Sequence, residues 1–162
     1  MQVLIIGWVW PEPKSSAAGY NMLSLIELLR KQQWQVSFAS AAQQTEQMAN
    51  LQSLDVDCQE IKLNCDSFDD YIKKSAPDIV IFDRFMMEEQ YGWRVTKHCP
   101  NAMRILNSED FQSLRQDRQL AYKAKKDFNI NEFKQHPSDH LLREIAAIHR
   151  CDLNLIISPV EL

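Results

Sequence analysis

With 162 residues, 45% of them apolar and 25% charged, the chain has the length of one domain and the composition of a packed core, which excludes disordered and fibrous classes. Its net charge of −4 excludes a generic nucleic-acid binder, whose footprint is a basic excess gathered on one face. The apolar start is broken by Gly7 and Pro11 without a basic flank, and no apolar run reaches the roughly 18 residues of a membrane span. The expectation is therefore one cytoplasmic domain over residues 1–162.

Apolar runs over residues 3–9, 34–40, 56–63, 78–83, 102–107 and 152–158 predict six strands buried on both faces. Between the first two, Met22, Leu25, Ile26 and Leu29 recur at helical spacing with Glu27, Arg30 and Lys31 opposite, the pattern of an amphipathic helix lying on a sheet. Further helices are predicted over 43–54, 68–75, 88–98, 109–126 and 138–149, with 127–137 left as an irregular surface excursion. Regular alternation of strand and helix gives βαβ units, a parallel sheet and an α/β, doubly wound, Rossmann-like fold. Cys58, Cys65, Cys99 and Cys151 form no CxxC pair and read as reduced, packed residues.

In such a sheet, ligands bind outside the carboxyl ends of the strands, so residues 8–20, 40–42, 83–87, 107–110 and 158–161 are the ones to inspect. The first loop stands out. The chain has three glycines, where average usage gives ~11, and Gly7 and Gly19 bracket this loop. Neither GxGxxG nor GxxxxGK[ST] is present, which argues against NAD and ATP binding, and no cofactor is expected. Ser15, Ser16, Ala17 and Ala18 lead into Gly19 at a helix start, where small residues and the helix dipole favour an anion such as a diphosphate. Equally, Ser15 or Ser16 caps the helix and Gly19 packs beneath a neighbouring strand. Trp8 and Trp10 stack on a sugar or base or, more commonly, belong to the core.

After the fourth strand, Asp83 and Arg84 either face the cleft or pair locally, and Glu88 and Glu89 complement the next helix start. After the fifth, Asn107 or Ser108 is the expected N-cap, and Glu109 and Asp110 suit either the first helical turn or acid/base and hydroxyl-binding work. Arg115 and Arg118 snorkel along a helix surface or reach an anionic ligand. With Lys123, Lys125 and Lys126, opposed by Asp117, they form the one basic cluster, a solvated face or a contact with a phospholipid surface or an anionic partner. His136 and His140 stand four apart, but Pro137 breaks the helix between them, and no metal is expected.

The first unit, LIIGWVWPEPKSSAAGYNMLSLIELLRKQQWQVSFAS, resembles the opening of the amino-terminal half of GT-B fold glycosyltransferases. The likeness is to the large group of retaining enzymes that begin with strand, Pro-containing loop, small-residue and glycine turn, and helix. In that group the turn usually carries two adjacent glycines; here Ala18 and Gly19 stand there. DIVIFDRF, RILNSEDFQSLR and CDLNLIISPVEL look like later strands of the same domain, so the likeness runs along nearly the whole sequence.

The resemblance implies the acceptor-side half of a two-domain sugar transferase, inactive alone, whose donor-binding half is absent from this sequence. Ser16, Ala18, Gly19, Arg84 and Arg115 would then serve donor phosphate or acceptor, with Asp83, Glu109 and Asp110 as candidate catalytic groups. The implied partners are a nucleotide-sugar donor and a saccharide or lipid-linked acceptor, with peripheral contact at the inner membrane face and homodimerisation left open. The competing reading is a non-catalytic Rossmann-like module that binds a small anion or a protein.

Overall fold

Six short strands pair side by side in the computed structural model, which describes residues 1–158. They are β1 (Gln2–Gly7), β2 (Gln35–Ser40), β3 (Val56–Glu60), β4 (Ile79–Asp83), β5 (Met103–Asn107) and β6 (Leu153–Leu155). Every pairing is parallel and the order is β3-β2-β1-β4-β5-β6, an α/β Rossmann-like sheet. The expected strand over 152–158 is shorter than predicted, and residues 159–161 of the last expected loop lie outside the described residues.

Successive side chains of a strand point to opposite faces, and both faces are covered. Val3 and Ile5 of β1 join a core with Met22, Ile26 and Leu29 of α1 (Ala17–Lys31). Leu4 and Ile6 face the other way, into a core with residues of α2 (Ser67–Ser75), α3 (Phe85–His98) and α6 (Asp139–Arg150). Ile5 and Ile6 are completely buried, and truncating either to alanine would cost ~2–5 kcal/mol. The remaining helices, α4 (Gln112–Lys123) and α5 (Ile130–Gln135), share a small core of Leu114, Phe133 and Leu141 with α6.

The helix expected over 109–126 spans only Gln112–Lys123, which leaves Glu109 and Asp110 outside its first turn, and two further segments differ. Residues 43–54 hold only a 3-10 turn, Leu51–Leu54, capped by Asn50 and ended by the left-handed Asp55. The segment before that turn is drawn out of helix by contacts with the first loop: Ala49 N–H donates to Pro11 O (2.8 Å) and Ala42 O accepts from Trp10 Nε1 (2.8 Å). Within 127–137, the Asn129 side chain accepts from the N–H groups of Asn131 and Glu132 and starts the short helix α5.

The helix α3 is tied to α6 by ion pairs. Glu88, buried at 3% exposure, meets Arg150 (2.5 Å), and Glu89 meets Arg143 (2.7 Å). Glu88 does lie in the first turn of α3, but its carboxylate is taken up by the arginine of the facing helix. The expectation that both glutamates complement the helix start holds for Glu88 alone, since Glu89 lies beyond the first turn.

Candidate functional site

From β1 the chain passes to β2 on one side, while β4 lies on the other side of β1. Their helices α1 and α3 cover opposite faces, which leaves a crevice at the carboxyl ends of β1 and β4. One wall is the loop 8–16. Trp10 anchors it: 2% exposed, its ring lies 5.5 Å from that of Phe38 and its Nε1 donates to Ala42 O. Trp10 is thus core, while Trp8 is 44% exposed.

Glu12 closes the loop's turn, its carbonyl accepting from Ser15 N–H (3.0 Å) and Ser16 N–H (3.2 Å). Ser16 caps α1 by accepting from Gly19 N–H at 3.0 Å. A Cβ on Gly19 would lie 2.4 Å from Glu12 O, so Gly19 permits the loop backbone to cross the helix start. It packs beneath its own loop and not beneath a strand. The N–H groups of Ala17 and Ala18 have no acceptor among the described residues, as expected of a first helical turn. Ser16, Ala18 and Gly19 line a pocket of about 60 Å³ together with Asp83 and Arg84.

The opposite wall comes from β4 and β5, whose register sets Asp83 beside Asn107. Asp83 is 6% exposed and accepts from Trp8 N–H at 3.4 Å. Burial pushes its carboxyl up to about 6, Arg84 pulls it back down, and the neighbouring Glu109 raises it. Glu109, also buried, accepts from Asn107 Nδ2 at 3.1 Å. The crevice therefore holds two carboxylates and an amide in place by hydrogen bonds.

Arg84 and Glu109 both have left-handed backbones. Arg84 has φ 74° and ψ 156°, and Glu109 has φ 63°; the first of these is a combination that side chains other than glycine's strongly disfavour. The Arg84 N–H donates to Asn107 O (2.8 Å), which holds the turn, and its buried Nε has no hydrogen-bond partner among the described residues. Strained, polar backbone at the end of buried strands is where folds commonly keep functional groups.

Asp110 and Arg115 are brought together elsewhere: they form an ion pair of 3.0 Å and line a groove along α4. The expected N-cap of this helix is also corrected. Ser108 Oγ donates to Leu155 O and the Asn107 amide goes to Glu109, while Phe111 at the cap position offers no side-chain bond. Glu144 of α6 does the work, accepting from Gln112 N–H and Ser113 N–H (both 2.9 Å) and from Ser113 Oγ (2.7 Å). Sequence reasoning missed it, yet a signal existed: Glu144 sits three residues from both Leu141 and Ala147, on the buried stripe of α6.

Among the described residues, no three His, Cys, Asp or Glu side chains gather as metal ligands would, and no helix is long and apolar enough to cross a membrane. The sequence matches no protein-family model and no curated protein.

Proposed function

We propose that this chain is the amino-terminal, acceptor-side domain of a GT-B fold sugar transferase acting on a nucleotide-sugar donor in the cytoplasm. The observation that carries the reading is the meeting of Asp83 and Arg84 with the small-residue start of α1 in one pocket at the switch point of the sheet. In this reading the acceptor hydroxyl gives its proton to Asp83 as the new C–O bond forms, a role suited to a carboxyl group near 6. The anomeric C–O bond to the donor breaks, and its electron pair leaves on the diphosphate, which faces Ala17 and Ala18 N–H and Arg84. Glu109 and Asn107 position Asp83.

The size of the pocket favours a division of labour. About 60 Å³ takes a hydroxyl or part of a phosphoryl group, whereas pockets for whole ligands of nucleotide size run to roughly 300–1,000 Å³. The nucleotide is then held chiefly by a second domain, and these residues alone do not transfer sugar.

The test is a titration of the ¹⁵N-labelled chain with UDP-glucose, GDP-mannose and simple glycosides. Weak shifts centred on Ala17, Ala18 and Asp83 are expected. Micromolar binding of a nucleotide sugar by these residues alone would contradict the division. Silence of the crevice towards every ligand would favour a non-catalytic module.

A further inference from the structure

The groove along α4 is not used by the crevice chemistry. It has a volume of about 420 Å³, and its lining includes Asp110, Phe111, Leu114, Arg115, Arg118, Tyr122 and Lys123, within the size range of small-molecule sites. Its character is mixed. Phe111 and Leu114 supply an apolar floor continuous with the Phe133 core, and Tyr122 stands 84% exposed at the rim. Three cations face one carboxylate, in a chain whose net charge is −4.

The charges are not equally engaged. Arg115 is paired with Asp110, but no carboxylate lies within ion-pair distance of Arg118 or Lys123 among the described residues. Arg118 instead lies over the Phe128 ring at 5.4 Å, which steadies the guanidinium and leaves its fork of N–H donors for a planar or tetrahedral anion. The groove also starts where the crevice ends: Asp110, at its head, directly follows the buried Glu109.

The geometry points to a binding site on α4 for a small soluble phosphorylated molecule with a ring, its ring on Phe111, Leu114 and Tyr122 and its phosphate on Arg118 and Lys123. That this molecule is the sugar acceptor rests on the reading above; the binding itself does not. Phosphate is the natural class, because two unpaired cations at the open side of an apolar floor match a dianion and leave an uncharged glycoside without its main contact.

The experiment uses phenyl phosphate, inorganic phosphate and phenyl glucoside as probes of the ¹⁵N-labelled chain, with phosphatidylglycerol vesicles as the competing surface. Saturable shifts at Leu114, Arg118 and Tyr122 with phenyl phosphate are expected, with at least tenfold weaker binding of inorganic phosphate and of phenyl glucoside. Arg118→Gln combined with Lys123→Gln, at two exposed positions, should weaken phenyl phosphate at least tenfold and leave the fold intact. Equal binding by the double variant overturns the site, and so does binding to the vesicles through α4 with no response to phenyl phosphate. Neither readout involves transfer, so binding here with no transfer by the full product of the gene would refute the transferase and keep the groove.

Discussion

Glu144 stands at the start of α4, its carboxylate accepting both the backbone N–H and the hydroxyl of Ser113. A buried carboxylate from one helix thus replaces the cap that another helix lacks, where the dipole also favours negative charge. Glu144→Ala leaves two buried N–H groups without acceptors, and a loss of ~3 kcal/mol is expected. Glu144→Gln keeps one acceptor oxygen and should lose about half as much. Urea unfolding of the two variants against the parent measures both.

Asp83 gives a pH-dependent prediction. Its carboxyl is raised to about 6 in the fold, against ~3.9 in an unfolded chain. Below pH 4 both states are protonated and the favourable contribution is fully present. As pH rises through 6 it is lost, because the fold must then hold a buried charge. Two units correspond to up to ~3 kcal/mol. Asp83→Asn should therefore be more stable than the parent at pH 7.5 and indistinguishable from it below pH 4; unfolding curves that separate equally at both pH values would refute the linkage.

Arg84 offers a comparison between two replacements. Both Arg84→Gly and Arg84→Ala remove the guanidinium, but only glycine adopts φ 74° and ψ 156° without strain. The glycine variant should exceed the alanine variant by ~1–3 kcal/mol in thermal or chemical unfolding. Equal stability would mean that the turn relaxes readily and stores no strain.

Gly19 tests the loop. The Cβ of Gly19→Ala meets backbone atoms of Glu12, which cannot rotate away as a side chain would, and the expected cost is ~1–3 kcal/mol. The displacement should travel through Pro11 O to its partner Ala49 N–H. Faster hydrogen exchange at Ala49 is the specific sign, since a merely weakened helix would not move that amide.

Much of this architecture was legible in the residues. Strands such as β4, IVIFD, are buried on both faces and so read as unbroken apolar runs. Asp83, Arg84 and Glu109 could be singled out because polar groups right after such runs fall at the crevice. What was not legible depended on distant partners. Residues 43–54 carry a helical pattern, but Pro11 O takes the N–H of Ala49 and Trp10 Nε1 holds the carbonyl of Ala42 just before them. The parting of Glu109 from Asp110 was equally hidden: one left-handed residue turns the chain, so that Glu109 stays at Asn107 while Asp110 meets Arg115. Gly19 stands out in a chain with three glycines, but the feature that requires a glycine there is its own loop.

The most direct test of the central claim is sugar transfer by the full product of the gene, assayed with a panel of nucleoside diphosphate sugars and compared with its Asp83→Asn variant. The account predicts transfer from at least one donor and a loss of at least ~100-fold in the variant, the usual scale for a positioned proton acceptor, in a protein whose fold is unchanged. Transfer at the parental rate by the variant, or no transfer and no hydrolysis from any donor, would contradict it.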